Sequence, residues 1–158
     1  MSSRLLIVAT AALLPFTVRA GEMPKQGSET YTNVWVLTSG SMMKVGEGSV
    51  QTFTLDGIDT NDEGGLFDKL GGHCLGIYGM VAKKEFARVV CVKTDKDGDQ
   101  IFEDATSTGG SSGKTVLTGG TGKYAGITGD DDYTFQIIKS PTGTPLFLTT
   151  THVRWKLP

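Results

Sequence analysis

The side chains of this chain best able to do chemistry are few. There are two cysteines, Cys74 and Cys91, two histidines, His73 and His152, and a set of polar and aromatic residues on strand-like runs: Trp35, Tyr78, Lys93, Glu103, Tyr133 and Arg154. Two imidazoles alone do not make a multi-histidine zinc site. A cysteine nucleophile or thiolate ligand would require Cys74 and Cys91 to stay reduced. No metal and no cofactor is therefore expected. A carboxyl enclosed among apolar side chains is desolvated, its pKa rises, and it can give or take a proton near neutral pH. Glu103 is the candidate for that role, with Trp35, Tyr78 and Tyr133 as the aromatic surfaces of a pocket. His152 and Arg154 alternate with Val153 and Trp155, so an inward apolar face turns them outward.

Other spellings of chemistry do not survive their context. Asp95, Asp97 and Asp99 alternate like calcium ligands, but an EF-hand loop wants Gly at its sixth position and Glu at its twelfth. Gln100 and Thr106 stand there, and an Asp-Gly hairpin turn accounts for the run better. Asp130-Asp131-Asp132 reads as a solvated strand end. Gly109-Gly110-Ser111-Ser112-Gly113 spells a nucleophile elbow without the strand-to-helix turn that motif needs. Gly113-Lys114-Thr115 ends like a phosphate loop, with its leading glycine misplaced and no helix after it.

The elements that must position these residues are strands. Eight β-like runs are expected, at 31–38, 49–56, 73–81, 86–94, 100–105, 114–118, 131–138 and 146–156. They are separated by turn chemistry at Ser39-Gly40, Gly46-Glu47-Gly48, Asp97-Gly98, Thr106–Gly113, Gly119–Gly129 and Pro141-Thr142-Gly143. Tyr133, Phe135 and Ile137 share one face of their run, while Thr134 and Gln136 share the other. No window repeats with a helical period, so no substantial helix is expected. Eight antiparallel strands can close into a barrel that holds side chains or one small ligand, and closure removes exposed edges. An open two-sheet sandwich is the rival arrangement. The segment Gly57–Gly72, with Asp59, Asp62, Glu63 and Leu66-Phe67, reads as an irregular loop that covers a barrel end or packs on the surface.

Placing Cys74 opposite Cys91 in antiparallel register puts a two-residue reversal at Ala82-Lys83, a loop length that suits hairpins. A disulfide acting as a staple is the expectation.

The run Leu117-Thr118-Gly119-Gly120-Thr121-Gly122-Lys123-Tyr124-Ala125-Gly126-Ile127-Thr128-Gly129 holds five glycines in eleven residues and should turn a tight corner between strands. This pattern resembles that of the allene oxide cyclase-like barrels, close kin of the dirigent proteins. The hairpin Asp95-Lys96-Asp97-Gly98-Asp99 before Ile101-Phe102 is similar to one in secreted bacterial members of the group. The resemblance covers 31–158 and implies an eight-stranded antiparallel β-barrel, a homo-oligomer (trimer or dimer), and a lumen that takes an apolar or phenolic small molecule. It also implies that some members steer ring closure or radical coupling. The chain departs from the dirigent pattern at Thr128, where an Arg is expected before the glycine, and Ala105–Gly129 holds no carboxylate. Radical coupling is thereby disfavoured, leaving isomerisation or cyclisation without a cofactor as the expected chemistry. A non-catalytic module with a packed lumen is the alternative.

Bulk properties agree. Glycine stands at 22 of 158 positions, about twice the usual share. A net charge of -2 with scattered Lys and Arg leaves no basic groove, so nucleic acid is not an expected partner. Residues 1–20, with Arg4, the apolar Leu5–Leu14 and the ending Val18-Arg19-Ala20, read as a signal peptide too short to span a bilayer. Residues 21–30 read as a flexible leader, and 31–158 as one domain, secreted or periplasmic.

Overall fold

A computed structural model describes residues 23–158, so the expected signal segment at 1–20 lies outside the described residues. The chain forms eight strands: β1 (Gln26–Val45), β2 (Gly48–Thr60), β3 (Gly71–Val81), β4 (Lys84–Thr94), β5 (Gln100–Ser107), β6 (Ser112–Gly120), β7 (Thr128–Lys139) and β8 (Pro145–Lys156). Each pairs antiparallel with the next, and β8 returns to pair with β1, closing a barrel. The open sandwich is thereby excluded. Among the described residues the one helical piece is a single 3-10 turn at Gly122–Tyr124.

All eight expected runs are strands, but three of the segments between or before them differ from expectation. Ser39-Gly40 is not a turn: β1 continues past it to Val45, with a bulge between Leu37 and Ser39 in its pairing with β2. A bulge absorbs one extra residue and bends the strand without ending it. Residues 26–30, expected within a flexible leader, pair with β8 from Gln26↔Lys156 to Thr30↔His152. The expected Gly57–Gly72 loop shortens to 61–70, because β2 runs on to Thr60 and β3 starts at Gly71.

That shortened loop plugs one end of the barrel. Phe67 and Leu70 are fully buried, and Phe67 stacks on Tyr31 with centroids 4.9 Å apart. Glu29, near the start of β1, holds the loop through its carboxylate. The Leu66 amide and the Trp155 indole N–H donate to one oxygen at 3.1 and 3.2 Å. The Asn61 amide and the Phe67 backbone N–H donate to the other at 3.0 and 3.3 Å. The glycine-rich corner closes the same end, with Tyr124 and Ile127 buried beside Ile101, Leu117 and Val153.

The Asp95–Asp99 turn is held by the protein's own groups. Asp95 Oδ1 accepts the backbone N–H groups of Asp97 and Asp99, while its other oxygen meets Lys123 Nζ at 2.5 Å and Tyr124 Oη at 3.2 Å. Despite partial burial, these donors bring the Asp95 carboxyl down to about 2.

The expected reversal at Ala82-Lys83 is present in the predicted register, with Cys74 opposite Cys91. Both turn residues have positive φ, 51° and 62°, the backbone that a two-residue hairpin with the right twist demands. Cys74 and Cys91 are joined as a disulfide, their Cα atoms 4.1 Å apart.

Candidate functional site

Because side chains alternate along a strand, one parity of each strand faces the lumen. Lysine, glutamate and aspartate appear on that inward parity at the level where the plug ends. Lys93 follows the inward Cys91 by two residues, Glu103 lies opposite Cys91 in register, and Asp131 precedes the inward Tyr133 by two. Asp59 and Tyr31 complete the layer from β2 and β1.

Lys93 is its centre and is 2% exposed. Its ammonium lies 2.8 Å from Asp59 Oδ2 and 3.1 Å from Glu103 Oε1, and donates to Tyr31 Oη at 2.9 Å. Behind it, Thr151 Oγ1 donates to Asn33 Oδ1 at 3.1 Å, and the Asn33 amide donates to Asp59 Oδ1. Asp131 is equally enclosed at 2% exposed; no cation pairs with either of its oxygens among the described residues, and the neighbouring Thr115 hydroxyl is the donor that eases its charge. The ion-paired oxygens of Asp59 and Glu103 have only the ammonium.

The electrostatics follow from burial set against one cation. Burial alone would push the Lys93 ammonium pKa down, but Asp59, Glu103 and Tyr31 together hold it well above its usual value. Lys93 therefore stays charged. Burial raises Glu103 to about 7, with Asp59 and Asp131 adding to the rise and Lys93 opposing it. Asp131 is raised to about 6, again mainly by burial, with Thr115 and Lys93 easing the shift. Burial also lifts Asp59, against Lys93 and Asn33, and holds the Tyr31 phenol well above its usual range.

This polar layer is the floor of a cavity of about 570 Å³ that reaches the β3–β4 and β5–β6 hairpins at the opposite end. The interior is thus not packed shut, as the non-catalytic alternative required. Trp35, Tyr78, Glu103 and Tyr133, the four side chains expected to form a site, all line it. Trp35 lies above the floor against Leu55 and the disulfide. Its indole fits only because Gly57 and Gly72 have no side chains, since a Cβ at either would come within 2.4 Å of the ring. Tyr133 uses the same device at Gly113. Tyr78 stands at the mouth, where its hydroxyl donates to Glu85 at 3.4 Å. Cys74 and Cys91 are part of the wall.

His152 and Arg154 point outward, as alternation requires. Two expectations need correction. The Asp130–Asp132 run is not uniformly solvated: Asp130 and Asp132 are exposed, but Asp131 alternates with them and is buried in the floor. Asp59, read as part of an acidic loop, lies on β2 and pairs with Lys93. Lys93 was named among the strand-borne groups able to do chemistry but given no role, and Asp131, Asp59 and Tyr31 were not singled out as site residues. The signal for the first two was present in the two-residue period carried from Cys91 and Tyr133.

In three dimensions the chain is similar to two pterocarpan synthase dirigent proteins. One gives a TM-score of 0.53 at 10% identity, covering 92% of this chain and 98% of the other. The second gives 0.53 at 14% identity, covering 87% and 99%. No protein-family model matches the sequence, and no curated protein matches it. The likeness is one of fold, and the chain adopts the dirigent-type barrel.

Proposed function

We propose that this protein is an exported barrel that binds a small apolar or aromatic molecule in its lumen and catalyses its isomerisation or cyclisation by proton transfer, without a cofactor. One observation carries this reading: Glu103 and Asp131 face an aromatic-walled cavity from a buried layer in which Lys93 pairs with Glu103 and, behind it, with Asp59. Its volume of about 570 Å³ falls among ligand pockets, which run roughly 300–1,000 Å³. The dirigent proteins with this fold are pterocarpan synthases, and that kinship of shape supports the same class of ligand.

The chemistry asked of the floor is modest. A group poised near the working pH transfers protons best in either direction, and Glu103 at about 7 meets that condition. In an isomerisation one carboxylate takes a proton from one atom of the substrate, and a carboxylic acid returns one at another, so no co-reactant is consumed. Lys93, locked between Asp59, Glu103 and Tyr31, holds the Glu103 carboxyl in place in the floor. The aromatic walls exclude water and hold the reacting conformation. Export is supported by the signal-like start and by the disulfide.

The test is native mass spectrometry of the protein purified from its own secretion, followed by turnover of the molecule it releases. A retained small aromatic mass is expected. Glu103→Gln should lose at least about a hundredfold in turnover, the usual range for an acid–base group, with folding intact. Empty protein that also fails to bind neutral naphthol would end the ligand reading, and full activity in the Gln variant would remove Glu103 from the mechanism.

A further inference from the structure

The floor of the cavity is lopsided in charge. Asp59 does not line the cavity; it neutralises Lys93 from behind. The three N–H bonds of the ammonium are already matched to Asp59, Glu103 and Tyr31, which leaves none for a ligand. Lys93 is the sole Lys or Arg among the cavity-lining residues. Glu103 and Asp131 therefore face the cavity with only one cation nearby, already paired with Asp59 and Glu103.

Asp131 is the more telling of the two. It is buried, lines the cavity, and has no cation on either oxygen among the described residues, only the neutral Thr115 hydroxyl beside it. The groups around it do not supply a counter-charge. Its register partners are Thr115 on β6 and Val153 on β8. Across the lumen stand Lys93 on β4, Glu103 on β5, Asp59 on β2 and Tyr31 on β1. Its neighbours Asp130 and Asp132 are exposed and pair outward with Arg154 and Lys114. An unpaired carboxylate buried in this way is costly unless something brings it a proton or a positive charge.

We infer that the cavity is built for a hydrophobic organic cation, such as an amine or an N-alkylated aromatic ring, whose positive centre sits between Asp131 and Glu103 while its body lies against Trp35 and Phe147. This rests on the proposal that the lumen takes a small aromatic molecule, and narrows its class. A cation satisfies the two facing carboxyls together, and aromatic faces attract it further. A neutral hydroxyl could bond one Asp131 oxygen but leaves the excess charge untouched. An anion meets two acids and no free donor.

Three probes of one size separate the possibilities: N-methylquinolinium, naphthol and naphthoate, titrated by calorimetry into the intact protein at about pH 8 and about pH 5. At the higher pH the cation should bind at least about tenfold tighter than naphthol, a margin that desolvated cation–aromatic contacts can supply. Naphthoate should not bind. The preference should shrink at the lower pH, where Glu103 and Asp131 hold their protons. Asp131→Asn should erase the preference while leaving naphthol binding in place. Should that variant not fold, the pH profile of the unaltered protein decides alone. Naphthol binding as tightly as the cation at both pH values overturns the cation inference and spares the ligand reading. Failure of all three probes sinks the ligand reading itself.

Discussion

Glu103 and Asp131 make the stability of this protein depend on pH in a direction opposite to that of most surface carboxylates. In the unfolded chain they ionise near 4.5 and 3.8, whereas in the folded barrel burial holds them protonated to about 7 and about 6. Below the unfolded values both states carry the proton, and the fold bears no penalty. As pH rises from about 4 to about 7 the unfolded chain ionises first, so stability falls across that window and levels off above it. The melting temperature should accordingly be higher at pH 5 than at pH 8. Glu103→Gln should raise the free energy of unfolding at pH 8 by on the order of 1–3 kcal/mol and flatten its slope with pH. Stability that is flat or rising over the same window would show that these carboxyls are not buried as described. Asp95, at about 2, acts only below this range.

Among the elements, β1 departs most from expectation. Tyr31–Thr38 was legible as a strand-like run, and the structure turns Tyr31, Asn33 and Trp35 inward while Val34 and Val36 face out. Gln26–Thr30 carry no apolar period, and their place is set by partners far along the chain: the ladder of β8, and the amides that Glu29 collects from the plug. Removing the Glu29 carboxylate strands four donors at once. Glu29→Ala should cost about 2–4 kcal/mol, since a bond to a charged acceptor contributes roughly 1.5–3 kcal/mol and some donors regain water. Thermal unfolding measures the loss. Hydrogen exchange at the Leu66 and Phe67 amides should accelerate before the rest of the barrel opens. Unchanged exchange there would mean that the plug is held by Phe67 packing alone. The reversal at Ala82-Lys83 is the opposite case. Neither residue favours positive φ, yet the register of two flanking strands located the turn where the local residues gave no sign of it.

At the scale of the whole molecule, closure is secured by strand pairing all the way round, and the disulfide is a local addition to it. Cys74 and Cys91 join strands that are already hairpin neighbours, with a sequence separation of 17. Loop closure of that size is worth roughly 3 kcal/mol at most. Reduction should lower the melting temperature but leave the barrel closed and the cavity competent, as near-UV circular dichroism and probe binding would report. Loss of probe binding at a temperature where the reduced protein is still folded would show that the bridge shapes the wall beneath Trp35. On the intact, unreduced protein a free-thiol assay in denaturant should read zero.

Which face of each strand lines the lumen was left open by the sequence, whereas strand number, the Cys74–Cys91 register and the glycine corner are all short-range facts. A two-residue period, a turn length and a run of glycines express them within a few neighbouring residues, and the sequence alone sufficed to determine them. The same period, once anchored at Cys91 and Tyr133, carried Lys93 and Asp131 inward. What it could not say is that they arrive in one layer, with Lys93 within reach of Asp59 from a strand some thirty residues earlier. That layer is set by the tilt and stagger of eight strands as they close, a property of the ring as a whole. Whether Asp131 meets water or a dry lumen was likewise decided by the plug and the opposite wall, because solvation depends on everything that surrounds a charge and not on the two residues beside it.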